Sequence, residues 1–220
     1  MPQSSPTDED VTVERVHFNF PIELQIDKGI AVLGKRGSGK TELVKWLVRM
    51  FASRGYRLIV LDVIGNLKSV KDEYPKQVEY VDINPKDFEA VEGIFKSLLD
   101  KGKEKKRLPL MVVMDEADRY SYGMITKTYL SDYINKGRNY GMGYLAVTRR
   151  LADFHKDFPT QADFAFVFAL KGAREQDSLE NWFGLTEEQT AAISELPLHH
   201  FAVWGGDNGE LLIPDAELEL

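Results

Sequence analysis

Cysteine is absent from the 220 residues, which excludes a disulfide framework, a thiolate metal site and a cysteine nucleophile. Long apolar stretches are missing too. The longest, Phe164 to Leu170, falls far short of the ~18–20 residues that span a bilayer, and polar residues follow Met1 in place of an apolar signal core. The expectation is a protein without a membrane segment of its own, acting in the cytoplasm. Positive charge is not in excess: 28 Lys and Arg stand against 35 Asp and Glu, for a net charge of −7. That balance argues against a nucleic-acid coat over the whole surface, while a local basic stripe could still grip phosphates.

What is present is an ordinary globular composition, 43% hydrophobic and 29% charged, long enough for one domain with a sizeable core. Residues 1–14 have no sustained periodicity and read as a loose acidic tail, and 214–220 as another. Between them, over 15–213, short β-rich runs alternate with helix-period runs. That alternation is the signature of an α/β fold with a mostly parallel sheet. The strand readings are Val16 to Ile26 (interrupted at Pro21), Gly29 to Leu33, Arg57 to Asp62, Gln77 to Ile83, Leu110 to Met114, Gly143 to Thr148, Phe164 to Leu170 and Phe201 to Trp204. A helix from Thr41 carries Leu43, Val44, Leu47, Val48 and Phe51 on one face and stops near Gly55. Asn84 and Pro85 read as N-cap and first residue of a second helix, and Lys101 to Arg107 as a basic loop after it. A helix is expected around Thr126 to Ile134, another ending at Phe183-Gly184, and a last one opened by Thr186 with Gln189 at capping-box spacing.

Gly34-Lys35-Arg36-Gly37-Ser38-Gly39-Lys40-Thr41 matches G-x-x-x-x-G-K-[ST], and each residue type has a physical task. The glycines let the backbone wrap so that its amides point at phosphate oxygens. Lys40 neutralises the β and γ charge, and the Thr41 hydroxyl is placed to ligate Mg²⁺. The loop follows an apolar strand and opens an amphipathic helix, whose N-terminus adds a field favourable to anions.

The strand Leu110 to Met114 delivers Asp115 and Glu116 to its C-terminal end, where ligands of open α/β sheets bind. Beside a phosphate loop, Asp115 is expected to hold Mg²⁺ and Glu116 to polarise the water that attacks the γ-phosphate of ATP. The alternative makes them ordinary helix N-terminal acids. Asn135-Lys136-Gly137-Arg138 lacks the aspartate of a guanine-reading N-K-x-D motif, which disfavours a GTPase.

These residues together resemble the HerA/FtsK superfamily of ring-forming DNA motor ATPases. The resemblance rests on the phosphate loop, on Asp115-Glu116, and on Leu61-Asp62-Val63-Ile64-Gly65-Asn66. It extends to Gly137-Arg138-Asn139-Tyr140-Gly141, leading into Gly143 to Arg150, and to the closing Leu185 to Val203. It implies a RecA-like (ASCE) P-loop NTPase with helices on both sheet faces, ATP and Mg²⁺ as cofactors, double-stranded DNA as partner, and a hexameric or pentameric ring. Arg149 stands where that superfamily usually has glutamine, so a γ-phosphate-sensing role carries over to it only by position. A bare core of this size looks like the A32-like genome-packaging ATPases of tailless, internal-membrane-containing viruses. That likeness implies a capsid or portal partner, in the host cytoplasm or with the virion. Two other readings of the residues stay open: a P-loop kinase of a small molecule or nucleotide, and a nucleotide-gated assembly module that moves nothing.

Arg138, Arg149 and Arg150 flank a strand expected near the sheet centre, where a guanidinium could reach a neighbouring subunit's γ-phosphate. Ordinary surface arginines are the alternative. Lys101, Lys103, Lys105, Lys106 and Arg107 form the densest positive run, either a solvated surface or a sequence-independent grip on DNA phosphates. The crowded tyrosines have no spacing suited to base stacking, and packing or subunit contact explains them better.

Overall fold

The computed structural model describes residues 24–120, 128–205 and 209–213. Among these, eight strands form one sheet: β1 Gly29–Leu33, β2 Arg57–Asp62, β3 Val78–Val81, β4 Leu110–Asp115, β5 Met142–Thr148, β6 Phe164–Phe168, β7 Phe201–Gly205 and β8 Glu210–Leu212. Their order is β3-β2-β4-β5-β1-β6-β7-β8. The first six are parallel where they pair, and β7 and β8 run antiparallel at one edge. Helices α1 Lys40–Ser53, α2 Lys68–Glu73, α3 Phe88–Lys105, α4 Tyr129–Lys136, α5 Asp157–Thr160, α6 Ala173–Phe183 and α7 Glu187–Ser194 make the crossovers. This is the mostly parallel α/β architecture that the alternation of runs foretells.

Strands β1, β4, β5 and β6 are buried along their whole length, which is why they read as continuous apolar runs. Alternate side chains feed two cores. Ile30, Val32, Met111 and Val113 pack with Leu43, Leu47 and Phe51 of α1 on one face. Ala31, Leu33, Val112 and Met114 pack with Phe95 of α3, Tyr133 of α4 and Ile193 of α7 on the other. The register sets Asp62 beside Asp115 and Leu33 beside Thr148. The C-terminal ends of β1, β2, β4 and β5 therefore share one edge.

Several local expectations need correction. The N-cap of α3 is Asp87, whose side chain accepts the Ala90 N–H at 3.1 Å. Asn84 and Pro85 instead form a turn just ahead, in which Asn84 accepts from the amide of Lys86. Lys101 to Arg107 is not a loop, because α3 continues to Lys105 and stops where Lys106 turns left-handed (φ 61). Lysine is a good helix former, and Gly102 lets this stretch lie against Tyr140 and Met142. The strand after Gln77 is cut to Val78–Val81, and that from Phe164 ends at Phe168. Most of Val16 to Ile26, both tails and Thr126 lie outside the described residues, and Leu24 to Ile26 lead into a turn rather than a strand. The capping box at Thr186 and Gln189 forms with both of its hydrogen bonds. Tyr133 and Tyr144 are buried and donate to the carbonyls of Gly143 and Phe158, so these two serve packing. Among the described residues no helix is long and apolar enough to cross a membrane.

Candidate nucleotide site

The loop from Gly34 to Gly39 joins β1 to α1, and its geometry follows from its glycines. Gly39, at φ 102, opens α1 without a side-chain cap, so the amides of Lys40 and Thr41 at its start stay open toward an anion. At Gly34 a Cβ would lie 2.8 Å from Phe168 and 2.9 Å from the Ser38 hydroxyl; only glycine fits. Ser38 is buried and its Oγ has no hydrogen-bond partner among the described residues. The Lys40 ammonium folds back onto the Lys35 carbonyl at 2.6 Å. Burial lowers its pKa to about 8, against the opposing pull of Asp115, with Arg149 lowering it further. Thr41 follows in the first turn of α1.

Asp115 ends β4 and points its carboxylate into the same edge. Its Oδ2 accepts from Asn66 Nδ2 at 3.0 Å and its Oδ1 from the Glu116 amide at 3.0 Å. Burial raises its pKa, and Asp62 adds to the rise, while the Asn66 hydrogen bond opposes it. Asp62 itself is structural. Its carboxylate accepts the amides of Ile64, Gly65 and Leu67 at 2.7–2.9 Å, and so folds the turn that brings Asn66 to Asp115.

Glu116 sits in the left-handed region at φ 52, a conformation that costs a non-glycine residue about 1–3 kcal/mol. Its carboxylate is buried and held by two guanidiniums, Arg149 at 3.2 Å on Oε1 and Arg119 on Oε2. Arg149 comes from the end of β5, the strand lying between the phosphate-loop strand and the acidic strand. The neighbouring Thr148 hydroxyl donates to Asp118 at 2.9 Å. Lys40, Asp115, Glu116 and Arg149 thus converge.

The other residues singled out from the sequence lie elsewhere. Arg138 sits in a 3-10 turn ahead of β5 and pairs with Asp163 at 2.9 Å. That is the opposite edge of the sheet, separated from its own phosphate loop by the seven residues of β5, about 20 Å. Lys101, Lys103 and Lys105 occupy the last turns of α3 at that same edge, followed by Lys106 and Arg107; Lys103 pairs with Asp100 at 3.5 Å. Arg119, Asp118 and His199 join the site without a motif to announce them. His199 has φ 67 and a buried Nδ1 without a partner among the described residues, which would stand 3.2 Å from a Cβ on Gly39. It walls the phosphate loop, and only its nearness to the Leu196-Pro197 turn hints in the sequence that this segment returns to the site.

Residues 14–150 match the family model described as the central domain of helicase HerA. The fold is similar to that of the genome packaging NTPase B204 from Sulfolobus turreted icosahedral virus 2 in complex with AMP. The TM-score is 0.73 at 20% identity, covering 86% of this chain and 98% of that one. It is also similar to VirB4 of Thermoanaerobacter pseudethanolicus (TM-score 0.67, 10% identity, 89% and 93% covered). A third likeness is to the pCW3 conjugation coupling protein TcpA (TM-score 0.65, 16% identity, 88% and 62% covered). No curated protein matches the sequence.

Proposed function

The chain belongs to the helicase HerA central-domain family, and on that premise we propose that it is an ATP-hydrolysing translocase of double-stranded DNA. It works as a hexameric or pentameric ring, and its use is the packaging of a viral genome. The observation that carries the reading is the convergence of Lys40, Asp115, Glu116 and Arg149 at the mouth of the phosphate loop. Its packaging part draws support from the likeness to B204, of which this chain spans 98%. B204 has also been solved with ATP-γ-S, at 20% identity to this chain.

In the mechanism, the open amides of α1 receive the β- and γ-phosphates, and Lys40 exchanges the Lys35 carbonyl for a phosphate oxygen. Mg²⁺ is commonly held by one or two carboxylates together with substrate phosphates. The chain fits such an ion: Thr41 and Asp115 would hold it, and the raised pKa of the buried Asp115 marks a carboxylate whose charge a cation would stabilise. When bound, the ion neutralises charge on the β- and γ-oxygens. Glu116 takes the proton of the attacking water, and Arg149 faces the charge that develops. Arg138, on the far edge, can act only on the nucleotide of a neighbouring subunit, after leaving Asp163. The basic end of α3 supplies a sequence-independent grip on DNA, and a capsid or portal protein would dock the ring.

The test is ATP turnover with and without double-stranded DNA, across concentrations that populate an oligomer, with Lys40→Ala as control. Stimulation by DNA that appears with assembly, and its loss in Lys40→Ala, is the expected result. Turnover indifferent to DNA at every concentration would refute the translocase.

A further inference from the structure

The edge that carries the nucleotide site has a concavity of about 450 Å³, lined by Lys86, Asp118, Arg119, Arg149 and Arg150 with Asn84 beside them. That volume lies within the range of about 300–1,000 Å³ typical of ligand sites. It opens on the other side of Glu116 from the phosphate loop. Ala117, Tyr120 and Leu151, neighbours of its lining residues, belong to the core on the α3 face, whereas α1 packs on the opposite face.

Four of the lining side chains are cations and one is a carboxylate, and that carboxylate, Asp118, already accepts from Thr148. Two of the cations also reach Glu116: Arg119 and Arg149 grip its two carboxylate oxygens from the pocket wall. Arg149 keeps a buried Nε with no partner among the described residues. Arg150 is 63% exposed and only loosely paired with Asp153 at 3.7 Å, and Lys86 is exposed.

We propose that this pocket binds a phosphodiester of the DNA backbone, and that its occupancy releases Glu116 for catalysis. The proposal rests on the translocase reading. Guanidinium forks suit phosphate oxygens. Among the described residues Val63 and Pro85 are the apolar part of the lining and none of it is aromatic, so the pocket suits a phosphate whose base points elsewhere. Contacts of that kind position DNA without reading its sequence, which a motor running along any sequence requires. With a guanidinium on each of its oxygens, the Glu116 carboxylate is pinned to the pocket wall and is not free to face the attacking water. A phosphate in the pocket draws Arg119 away from Glu116 and leaves Arg149 to face the nucleotide. The freed carboxylate can then turn to the attacking water, so hydrolysis waits for DNA.

The experiment measures ATP turnover, with and without double-stranded DNA, in the full-length wild type, in Lys86→Gln/Arg150→Gln and in Arg119→Gln. The double variant should keep the wild-type rate without DNA while its stimulation by DNA falls toward one-fold. Its slope of log K against log salt should drop by about 0.9 for every phosphate it no longer neutralises. Arg119→Gln should turn over faster than wild type without DNA, approaching the stimulated rate, because half of the clamp is gone. Undiminished stimulation in the double variant overturns the pocket, and an Arg119→Gln rate that does not rise overturns the clamp. Wild-type turnover that ignores DNA is a different failure, of the translocase reading itself, and removes the pocket's ligand with it.

Discussion

The two edges of the sheet are built on opposite principles. At the C-terminal edge, Ser38 Oγ, Tyr120 Oη, Arg149 Nε and His199 Nδ1 are buried without a hydrogen-bond partner among the described residues. Glu116 and His199 there have positive φ, and the pKa of Lys40 is depressed to about 8. At the N-terminal edge Trp204 Nε1 is the one such orphan among the described residues, and Asp163 accepts from the Gly29 amide at 2.9 Å and binds both Lys28 and Arg138. Buried polar atoms normally find partners, so orphans gathered at one edge, Ser38, Arg149 and His199 among them, mark a site organised for a ligand at the expense of the fold. The far edge is organised for folding, and its exposed ion pairs are weak enough to exchange partners.

The largest effect tests whether that paired edge also has a catalytic task. Arg138→Ala should bind ATP yet lose DNA-stimulated hydrolysis by about 10³–10⁵-fold, the usual contribution of an arginine acting on transition-state charge. Mixing it with Lys40→Ala should restore part of the activity, because some interfaces then join an intact loop to an intact arginine. Full activity in Arg138→Ala would leave the far edge purely structural. Next in size is Glu116→Gln, whose amide keeps the shape and loses the base. Single-turnover hydrolysis should fall by about 10²–10⁴-fold with nucleotide affinity retained, and a normal rate would make Glu116 a strut for its arginines.

The parts of this arrangement legible in the sequence are those whose chemistry is contiguous. Gly34 to Thr41 is one loop, Asp115 and Glu116 are neighbours, and the doubly buried strands are unbroken apolar runs. What is not legible depends on approaches between residues far apart in the chain. Asn66 reaches Asp115 across 49 positions, and only the turn folded around Asp62 makes that possible. In the sequence Arg119 is one of many surface charges; the left-handed Glu116 is what brings the two together. The basic run after Leu99 reads as a loop because its apolar periodicity stops, although α3 continues and packs Gly102 against Tyr140. Beyond its nearness to the Leu196-Pro197 turn, His199 carries no sequence signal, because its role comes from where the chain returns, beside Gly39.

Further down the scale, neutralising Lys101, Lys103, Lys105, Lys106 and Arg107 should weaken DNA binding regardless of sequence. The slope of log K against log salt should flatten by about 0.9 for every DNA phosphate these cations neutralise in the wild type. An unchanged slope in a fluorescence titration would return the end of α3 to solvated surface. The folding role of the far edge is tested by Asp163→Ala, which strands the buried Gly29 amide. It should cost about 1–3 kcal/mol, read as a lower urea midpoint; an unaltered midpoint would remove the contrast between the edges.

The smallest expected effect isolates the strain at the catalytic edge. Glu116→Gly and Glu116→Ala remove the same carboxylate and leave the same arginines unpaired, so those losses cancel when the two variants are compared. They differ in how they tolerate φ 52 and ψ 52. A left-handed residue with a Cβ is disfavoured by about 1–2 kcal/mol, and the greater freedom of glycine in the unfolded chain returns about 0.4–1 kcal/mol of that. Glu116→Gly should therefore be more stable than Glu116→Ala by about 1 kcal/mol in urea unfolding, with both inactive in hydrolysis. An alanine variant as stable as the glycine one would mean that the backbone at 116 relaxes once its carboxylate is gone. The left-handed turn would then be held by Arg119 and Arg149 rather than by the end of β4, and releasing that grip would move the backbone as well as the side chain.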